Sequence, residues 1–237
     1  MTAEPTYLRI YEKIKQAIAD NAYPTLSLPS ERKLMADLNG SRITVREALI
    51  RLEKEGAIYR LNRRGWFIAP PRIRYSPNHK SHFIKTALAQ GRKPETKVLF
   101  SEKAELTGKE ALNMGVERGS LAAHKIIRLR ELDAHPALYE TIWLNANLTP
   151  GILKHSLDQS LTELMRREYQ LEIKRSDVRV QPCVLMGKAA ESLLVSEGTA
   201  GLSITQQRYD QYGNLVEYDQ EFWRHDVIEL AMTFESD

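Results

Sequence analysis

Between positions 41 and 46, the sequence concentrates arginine and small hydroxyl side chains. The cluster consists of Ser41, Arg42, Thr44 and Arg46, and Arg32 lies upstream of it. Arginines in the first turns of a helix can donate hydrogen bonds to base edges, and hydroxyl residues can hold the phosphates. Arg42 and Arg46 are four residues apart and therefore lie on one side of a helix. The pattern predicts a helix that enters the major groove of DNA, with Arg32 on the DNA backbone.

A second basic group lies at positions 63–65, where Arg63 and Arg64 precede Gly65. These residues separate the short apolar runs AIYRL and GWFIA, which is typical of a β-hairpin. The absence of a side chain at Gly65 favours close approach to a minor groove. An isolated arginine is more often part of a solvated surface, but the joint placement of these residues favours DNA binding.

Further along the chain, Arg128 and Arg130 are separated by one residue in a predicted strand, so both point to one face of a sheet. Two guanidinium groups on one face make a suitable clamp for a phosphate, phosphonate or carboxylate. From periodicity alone, an exposed arginine pair balanced by Glu131 or Glu140 is an equally good interpretation.

The elements that must position the first two groups are three helices and a hairpin. Apolar periodicity predicts the first helix over residues 6–21, Ser30 caps the second, and the third begins at Ser41 or Arg42 and ends at Gly56. The third helix has one inward stripe, which consists of Val45, Ala48, Leu49 and Leu52. With the hairpin, these helices predict a winged helix-turn-helix domain over residues 1–70.

Residues 71–80 contain prolines and no apolar period, and they predict a linker and hinge. The rest, residues 81–237, predicts a ligand-binding domain of the α+β class with an antiparallel sheet. Its strands are predicted at 97–104, 123–132, 137–144 and 173–184, followed by a final hairpin at 203–210 and 215–223. Residues 133–136 are the predicted turn between the second and third strands. Ser160 caps a predicted helix that ends at Tyr169. No internal repeat is evident.

Composition supports a folded, cytoplasmic protein rather than a membrane or secreted one. The 237 residues include one cysteine and no apolar stretch long enough to cross a membrane. Residues 1–75 contain 14 Lys or Arg against 8 Asp or Glu, a net charge of +6, whereas the remainder contains 20 against 23, a net charge of −3. The basic first third is where phosphate contact is expected.

The segment LPSERKLMADLNGSRITVREALIRLEKEG resembles the DNA-binding signature of the GntR family of bacterial repressors, and the resemblance covers about residues 6–70. It implies operator contacts by Arg32, Arg42, Thr44, Arg46 and the wing. Where the family often has Gly-Arg-Gly-Thr, this chain has Arg63-Arg64-Gly65-Trp66, so a bulky ring is expected at the wing.

From Phe83 onward, the chain resembles the effector domain of the HutC branch of that family, which is related in fold to chorismate lyase. The resemblance implies an effector site whose residues are Arg128, Arg130, Glu140, Ser160, Glu217, Tyr218 and, as a further candidate, Arg224. The implied effector is a small anion: a phosphosugar, a phosphonate such as 2-aminoethylphosphonate, or an amino-acid derivative.

These features predict a homodimeric repressor on a palindromic operator, with neither cofactor nor metal and no catalytic residues. His79 and His82 are an isolated pair and favour solvation over metal binding. One alternative is an enzyme of lyase-like fold fused to a nucleic-acid-binding domain, with Glu140 or His225 as acid or base. Another is an RNA-binding or nonspecific nucleoid protein, although the chain lacks the aromatic strands of single-strand readers.

Overall fold

The computed structural model describes residues 6–61, 64–76 and 83–232. The chain divides into two compact units. The first comprises Met1–Arg72 with His225–Val227, and the second comprises Ile73–Arg224 with Ile228–Asp237. None of the helices in the described ranges is long and apolar enough to cross a membrane.

The first unit contains three helices followed by a hairpin: α1 (Thr6–Ala19), α2 (Glu31–Leu38), α3 (Arg42–Lys54), β1 (Ile58–Leu61) and β2 (Gly65–Ile68). Local chemistry sets the helix ends. The Ser30 side chain accepts a hydrogen bond from the Lys33 amide at the start of α2, and Asn39 ends that helix in the left-handed conformation. Gly56, with φ of +73°, turns the chain into the hairpin.

One apolar core holds the first unit together. The inward faces of α1 and α3 meet there, and the predicted stripe of α3 is buried as expected. The buried members of this core are Ile10, Tyr11, Ile14, Leu28, Leu34, Val45, Ala48, Leu49, Leu52, Ile58 and Trp66. This packing leaves the outer face of α3 free for another role.

The second unit is built on a sheet flanked by short helices. Its elements, in chain order, are β3 (Ile73–Tyr75), α4 (Phe83–Ala89), β4 (Pro94–Leu106), α5 (Gly108–Asn113), β5 (Leu121–Leu132), β6 (His135–Asn145), a 3-10 turn (Ile152–Lys154), α6 (Leu161–Tyr169), β7 (Arg175–Leu185), α7 (Gly187–Ser192), β8 (Thr199–Tyr209), β9 (Leu215–Arg224) and β10 (Ile228–Leu230). Within the described residues the main sheet has six antiparallel strands in the order β4-β5-β6-β9-β8-β7. The predicted α+β class with an antiparallel sheet is confirmed.

The strand order reveals a duplication that the sequence did not make evident. β4, α5, β5 and β6 form one strand-helix-strand-strand unit, and β7, α7, β8 and β9 form a second with the same order. The helices begin alike, with Thr107-Gly108-Lys109 in one and Met186-Gly187-Lys188 in the other. The two units meet at the central β6–β9 pair.

Opposite faces of this sheet pack on different helices. Ile126 and Ile142 pack with α6 on one face. Trp143 follows Ile142 and therefore faces the other side, where it packs with Ala111 of α5. The first face, which is called the α6 face below, carries the charged residues of the candidate site.

Two local predictions need correction. Residues 71–80 were expected to be a linker, yet Ile73–Tyr75 forms β3 and pairs in parallel with β10. The turn after β5 was expected to span residues 133–136, but only Asp133 and Ala134 form it, both with positive φ. A two-residue turn of this kind matches the twist of a hairpin, so β6 begins at His135 and includes Pro136.

Candidate functional sites

The first candidate site is the start of α3. Arg42 and Arg46 are exposed there, and Arg32 on α2 is exposed as well. Among the described residues, none of these three guanidinium groups takes part in a hydrogen bond or an ion pair. Ile43 lies beside them and is 74% exposed. The first turns of α3 therefore present unneutralised cations and the apolar Ile43 side chain on their outer surface.

The hydroxyl residues at this end organise the helix itself. Ser41 Oγ accepts a hydrogen bond from the Thr44 amide at 3.2 Å, and the two hydroxyl oxygens are 2.7 Å apart. This pair caps the helix and holds the first turn, where the backbone amides and helix dipole favour an anion.

The hairpin places Arg64 and Gly65 at an exposed tip, whereas Arg63 lies outside the described residues. Gly65 has a φ of +101°, and a side chain there would meet no atom within 4 Å. Its backbone conformation, rather than crowding, requires glycine in this structure.

The bulky ring that Trp66 adds to the wing hairpin points inward. It is only 5% exposed, and its Nε1 donates a 3.1 Å hydrogen bond to Glu31 Oε1 on α2. The Arg60 guanidinium lies 5.7 Å from the centre of its ring. Strand alternation turns this ring inward, so Trp66 attaches the hairpin to α2.

The second candidate site lies on the α6 face of the sheet. Arg128 and Glu140 are direct cross-strand neighbours on β5 and β6, and Arg130 lies on the same face. The Nε atoms of Arg128 and Arg130 both donate to Glu140 Oε1, the latter at 2.7 Å. All three residues are buried. Arg128 and Arg130 therefore share one face, as the Arg-x-Arg spacing predicts, and the carboxylate of Glu140 engages both of them.

Arg128 also joins the sheet to the segment before α6. Its Nη1 donates to the carbonyl oxygens of Leu157 and Gln159 at 3.0 and 3.1 Å. Ser160 follows and caps α6 by accepting a hydrogen bond from the Glu163 amide. This arrangement brings the first turn of α6 to the two guanidinium groups. Arg130 has no such tie, and among the described residues its two Nη atoms donate no hydrogen bond.

The pocket contains five further polar residues that sequence reasoning did not assign to it: Tyr75, Thr162, Arg208, Asp219 and Glu221. Arg208 on β8 donates to Glu217 Oε1 at 2.8 Å. Asp219 and Glu221 follow Glu217 at alternate positions of β9 and share its face. This alternation of acidic residues is visible in the sequence and could have indicated that the three side chains share one face. In the structure, it places three carboxyl groups beside the arginines.

Burial and neighbouring charges act on these carboxyl groups in opposite directions. Burial alone would raise the pKa of Glu140, but the adjacent Arg128 and Arg130 hold it below its usual value. Burial, followed by the charges of Glu221, Glu140 and Glu217, raises the pKa of Asp219 well above its usual value. The pocket thus combines a carboxylate that the arginines stabilise with a carboxyl group that ionises less readily than usual.

Two predicted effector residues lie elsewhere. Tyr218 packs against Trp143, with ring centres 5.4 Å apart, and Arg224 donates to the Leu193 carbonyl oxygen at 3.1 Å. Neither lines the pocket. Both occupy positions on β9 that alternate with Glu217, so they point to the opposite face of the sheet. The structure brings together Arg128, Arg130, Glu140, Ser160 and Glu217.

Comparisons with known proteins match both units. Residues 6–68 match the model of bacterial regulatory proteins of the gntR family, and residues 89–229 match the UTRA domain. The HTH-type transcriptional regulator YihL of Escherichia coli strain K12 is 30% identical over 222 residues, which cover 93% of this chain and 94% of YihL. The HTH-type transcriptional repressor NagR of Bacillus subtilis strain 168 is 27% identical over 223 residues, 94% of this chain and 91% of NagR.

A solved structure shares the fold. The crystal structure of PhnF from Mycobacterium smegmatis has a TM-score of 0.67 at 22% identity, and it covers 89% of this chain and 92% of PhnF. The sequence relatives are regulators of transcription, and this finding contradicts the alternative that the chain is an enzyme.

The Trp66–Glu31 contact yields a first prediction. Trp66→Phe keeps an aromatic ring but removes the hydrogen bond to a charged group, and should destabilise the attachment of the hairpin by about 1.5 kcal/mol. Hydrogen exchange should therefore become faster at the Leu28 and Ile68 amides, which bond to Trp66 and Leu26 carbonyl oxygens. Glu31→Gln keeps an acceptor oxygen and is the matched control with a smaller effect. Unchanged exchange in Trp66→Phe would contradict this role.

Proposed function

Because the chain belongs to the gntR family of bacterial regulatory proteins and carries a UTRA domain, we propose that it represses a catabolic or uptake operon in the cytoplasm under the control of a small anionic metabolite. The observation that carries the proposal is the pairing of unneutralised arginines at the start of α3 with buried guanidinium groups in a separate pocket. Repression is favoured by the similarity to NagR, which is described as a repressor.

At the operator, α3 would enter the major groove with its first turns against the bases. Arg42 and Arg46 would donate to guanine edges or phosphates, and Ile43 would contact a thymine methyl group. Ser41 and Thr44, which cap the helix, would place its positive end near a phosphate. Arg32 would contact the DNA backbone. The hairpin tip, which consists of Arg63, Arg64 and Gly65, would contact the minor groove.

A palindromic operator would be bound by a homodimer, since one recognition helix reads one half-site. The edge strand β4 supports an interface in the second unit, because it exposes the consecutive apolar residues Val98, Leu99 and Phe100. An unpaired edge strand can pair in an antiparallel manner with a second copy of itself, as a two-fold axis requires.

The effector would bind at the arginine clamp. The empty cavity measures about 40 Å³, which is room for a few water molecules because a single water needs about 10–15 Å³. A metabolite therefore requires side-chain movement. Arg130 is suited to move because its Nη atoms are unbonded among the described residues, so it can rotate from Glu140 onto a ligand anion. Phosphosugars, phosphonates and amino-acid derivatives all carry such an anion, and the Ser160 end of α6 would add donors.

Control of transcription then requires that the effector bind the DNA-competent and DNA-incompetent arrangements with different affinities. A difference of about 1–3 kcal/mol is typical of such coupling.

Operator binding gives a second prediction. Arg46→Ala should weaken binding to a duplex selected by the wild-type protein from a random pool by about 1–3 kcal/mol, because one base or phosphate contact is lost. Fluorescence anisotropy measures this loss. Arg118→Ala in the second unit removes another exposed arginine and should have little effect. Equal losses in both variants would mean that only net charge matters.

The clamp gives a third prediction. Arg130→Met should reduce the affinity for phosphorylated or phosphonate compounds by about tenfold or more, because a charge-assisted hydrogen bond to the anion is lost. Thermal shift and calorimetry measure the ligand affinity. The affinity of Arg130→Met for the operator should remain unchanged. Arg130→Lys keeps the charge but not the planar fork and should be intermediate. Wild-type ligand affinity in Arg130→Met would remove this residue from the site.

The edge strand gives a fourth prediction. Replacing Leu99 and Phe100 together by Lys places like charges on both copies and should convert a dimer into a monomer of 27.2 kDa. Light scattering after size-exclusion chromatography measures the mass. Val184→Lys on the opposite edge strand β7 is the control. A double variant that remains dimeric would exclude β4 as the interface.

A further inference from the structure

The acidic side of the pocket has a role that the anion clamp does not explain. Glu217, Asp219 and Glu221 project from alternate positions of β9 onto the α6 face, and Glu140 of β6 lies directly opposite Glu221. All four carboxyl groups are buried and line the same cavity as the arginines. A pocket intended only for an anion would not need them.

Four of the eight oxygens of these groups accept hydrogen bonds from described residues. Glu140 accepts from the two arginines of the clamp. Glu221 Oε2 accepts from Trp223 Nε1 at 2.6 Å, and Glu221 Oε1 accepts from Gln206 Nε2 at 2.9 Å and from the Tyr75 hydroxyl at 3.4 Å. Glu217 accepts from Arg208 on Oε1 only.

Two of the other four oxygens are completely buried. Asp219 Oδ1 and Glu217 Oε2 are buried and have no hydrogen-bond partner among the described residues. Asp219 is 2% exposed and Glu217 is 1% exposed, so bulk water does not satisfy these atoms. A buried acceptor without a donor is unfavourable, and a ligand that supplies a donor would remove this penalty.

The charge balance identifies the kind of donor. Arg128, Arg130 and Arg208 face four carboxyl groups, so the fully ionised pocket has one negative charge in excess before any ligand enters. A purely anionic ligand would add to that excess in a buried site, which is unfavourable unless Asp219 or Glu221, whose pKa values are raised, takes up a proton. A cationic group on the same ligand would reduce it.

Resting on the proposed function, we propose that the effector is a zwitterion whose anionic group binds Arg128 and Arg130 and whose ammonium group binds Asp219 Oδ1 and Glu217 Oε2. An ammonium group has three donors and no acceptor, which suits unpartnered carboxylate oxygens.

A divalent cation is a weaker candidate for this place. Oxygens of Glu140, Asp219 and Glu221 lie within 4.8 Å of one another, a spacing that such an ion requires. However, Glu140 and Glu221 already accept hydrogen bonds from arginine, tryptophan and glutamine, and three guanidinium groups add positive charge nearby. Binding a metal would break those bonds, whereas binding an ammonium group at the two free oxygens would not.

The proposal has a pH signature. The charged groups that face Asp219 are Glu140, Glu217, Glu221, Arg128, Arg130 and Arg208, together with the Tyr75 hydroxyl. Burial and the neighbouring carboxyl groups raise the pKa of Asp219, whereas an ammonium group requires its carboxylate form. The preference for an ammonium-bearing ligand should therefore increase as pH rises, with a proton released on binding.

Matched compounds test this directly by calorimetry on the full chain. The pairs are 2-aminoethylphosphonate with ethylphosphonate, and glucosamine 6-phosphate with glucose 6-phosphate. In at least one pair, the amine should bind about tenfold more tightly than its partner, the effect of one hydrogen bond to a charged group. Asp219→Asn should remove most of that preference and retain the affinity for the compound without an amine.

Two further variants separate the loss of an ammonium contact from a general loss of folding. Glu217→Gln should also reduce the preference and guards against misfolding of the first variant, while Asp177→Asn on β7 should not. Equal affinities within both pairs, still lost in Arg130→Met, would overturn the zwitterion and leave the anionic effector standing. No binding of any of the four compounds would contradict both. Stabilisation by magnesium or calcium chloride that Asp219→Asn removes would assign the place to a metal ion and overturn the proposal.

Discussion

The interaction on which the second unit depends is the buried contact of Arg128 and Arg130 with Glu140. Removing three charges from water is unfavourable by several kcal/mol per ion unless each has partners in good geometry. Cross-strand register supplies that geometry, since Arg128 and Glu140 lie directly opposite each other. The carbonyl oxygens before α6 complete the shell of Arg128. Glu140 thus holds both guanidinium groups in place, and an external anion that bound them would compete with this carboxylate.

The DNA-binding unit could be predicted almost completely from sequence because its signals are local. The Ser30 and Ser41 caps and the stripe of α3 are contained in short segments, and the structure shows them as expected. Trp66 is the exception, because its direction depends on packing against Glu31, which is distant in sequence.

The pocket could be predicted only in part. Arg128, Arg130 and Glu140 belong to one hairpin, so alternation along two adjacent strands places them together. Arg208, Asp219 and Glu221 join them only because β9 pairs with β6 at the centre of the sheet, a long-range pairing that periodicity does not reveal. Tyr218 was assigned to the pocket by resemblance with Glu217, although neighbours on a strand cannot both point to one face. The duplicated strand-helix-strand-strand unit explains why both halves contribute arginines and carboxylates.

The central claim is that a ligand anion displaces a protein carboxylate from the arginine clamp. A crystal structure with the phosphonate or sugar phosphate that stabilises the protein most tests it directly. The account predicts anion oxygens about 2.9 Å from guanidinium nitrogens of Arg128 and Arg130, with the Arg130 side chain rotated away from Glu140. An anion bound elsewhere, with both arginines still on Glu140, would contradict it.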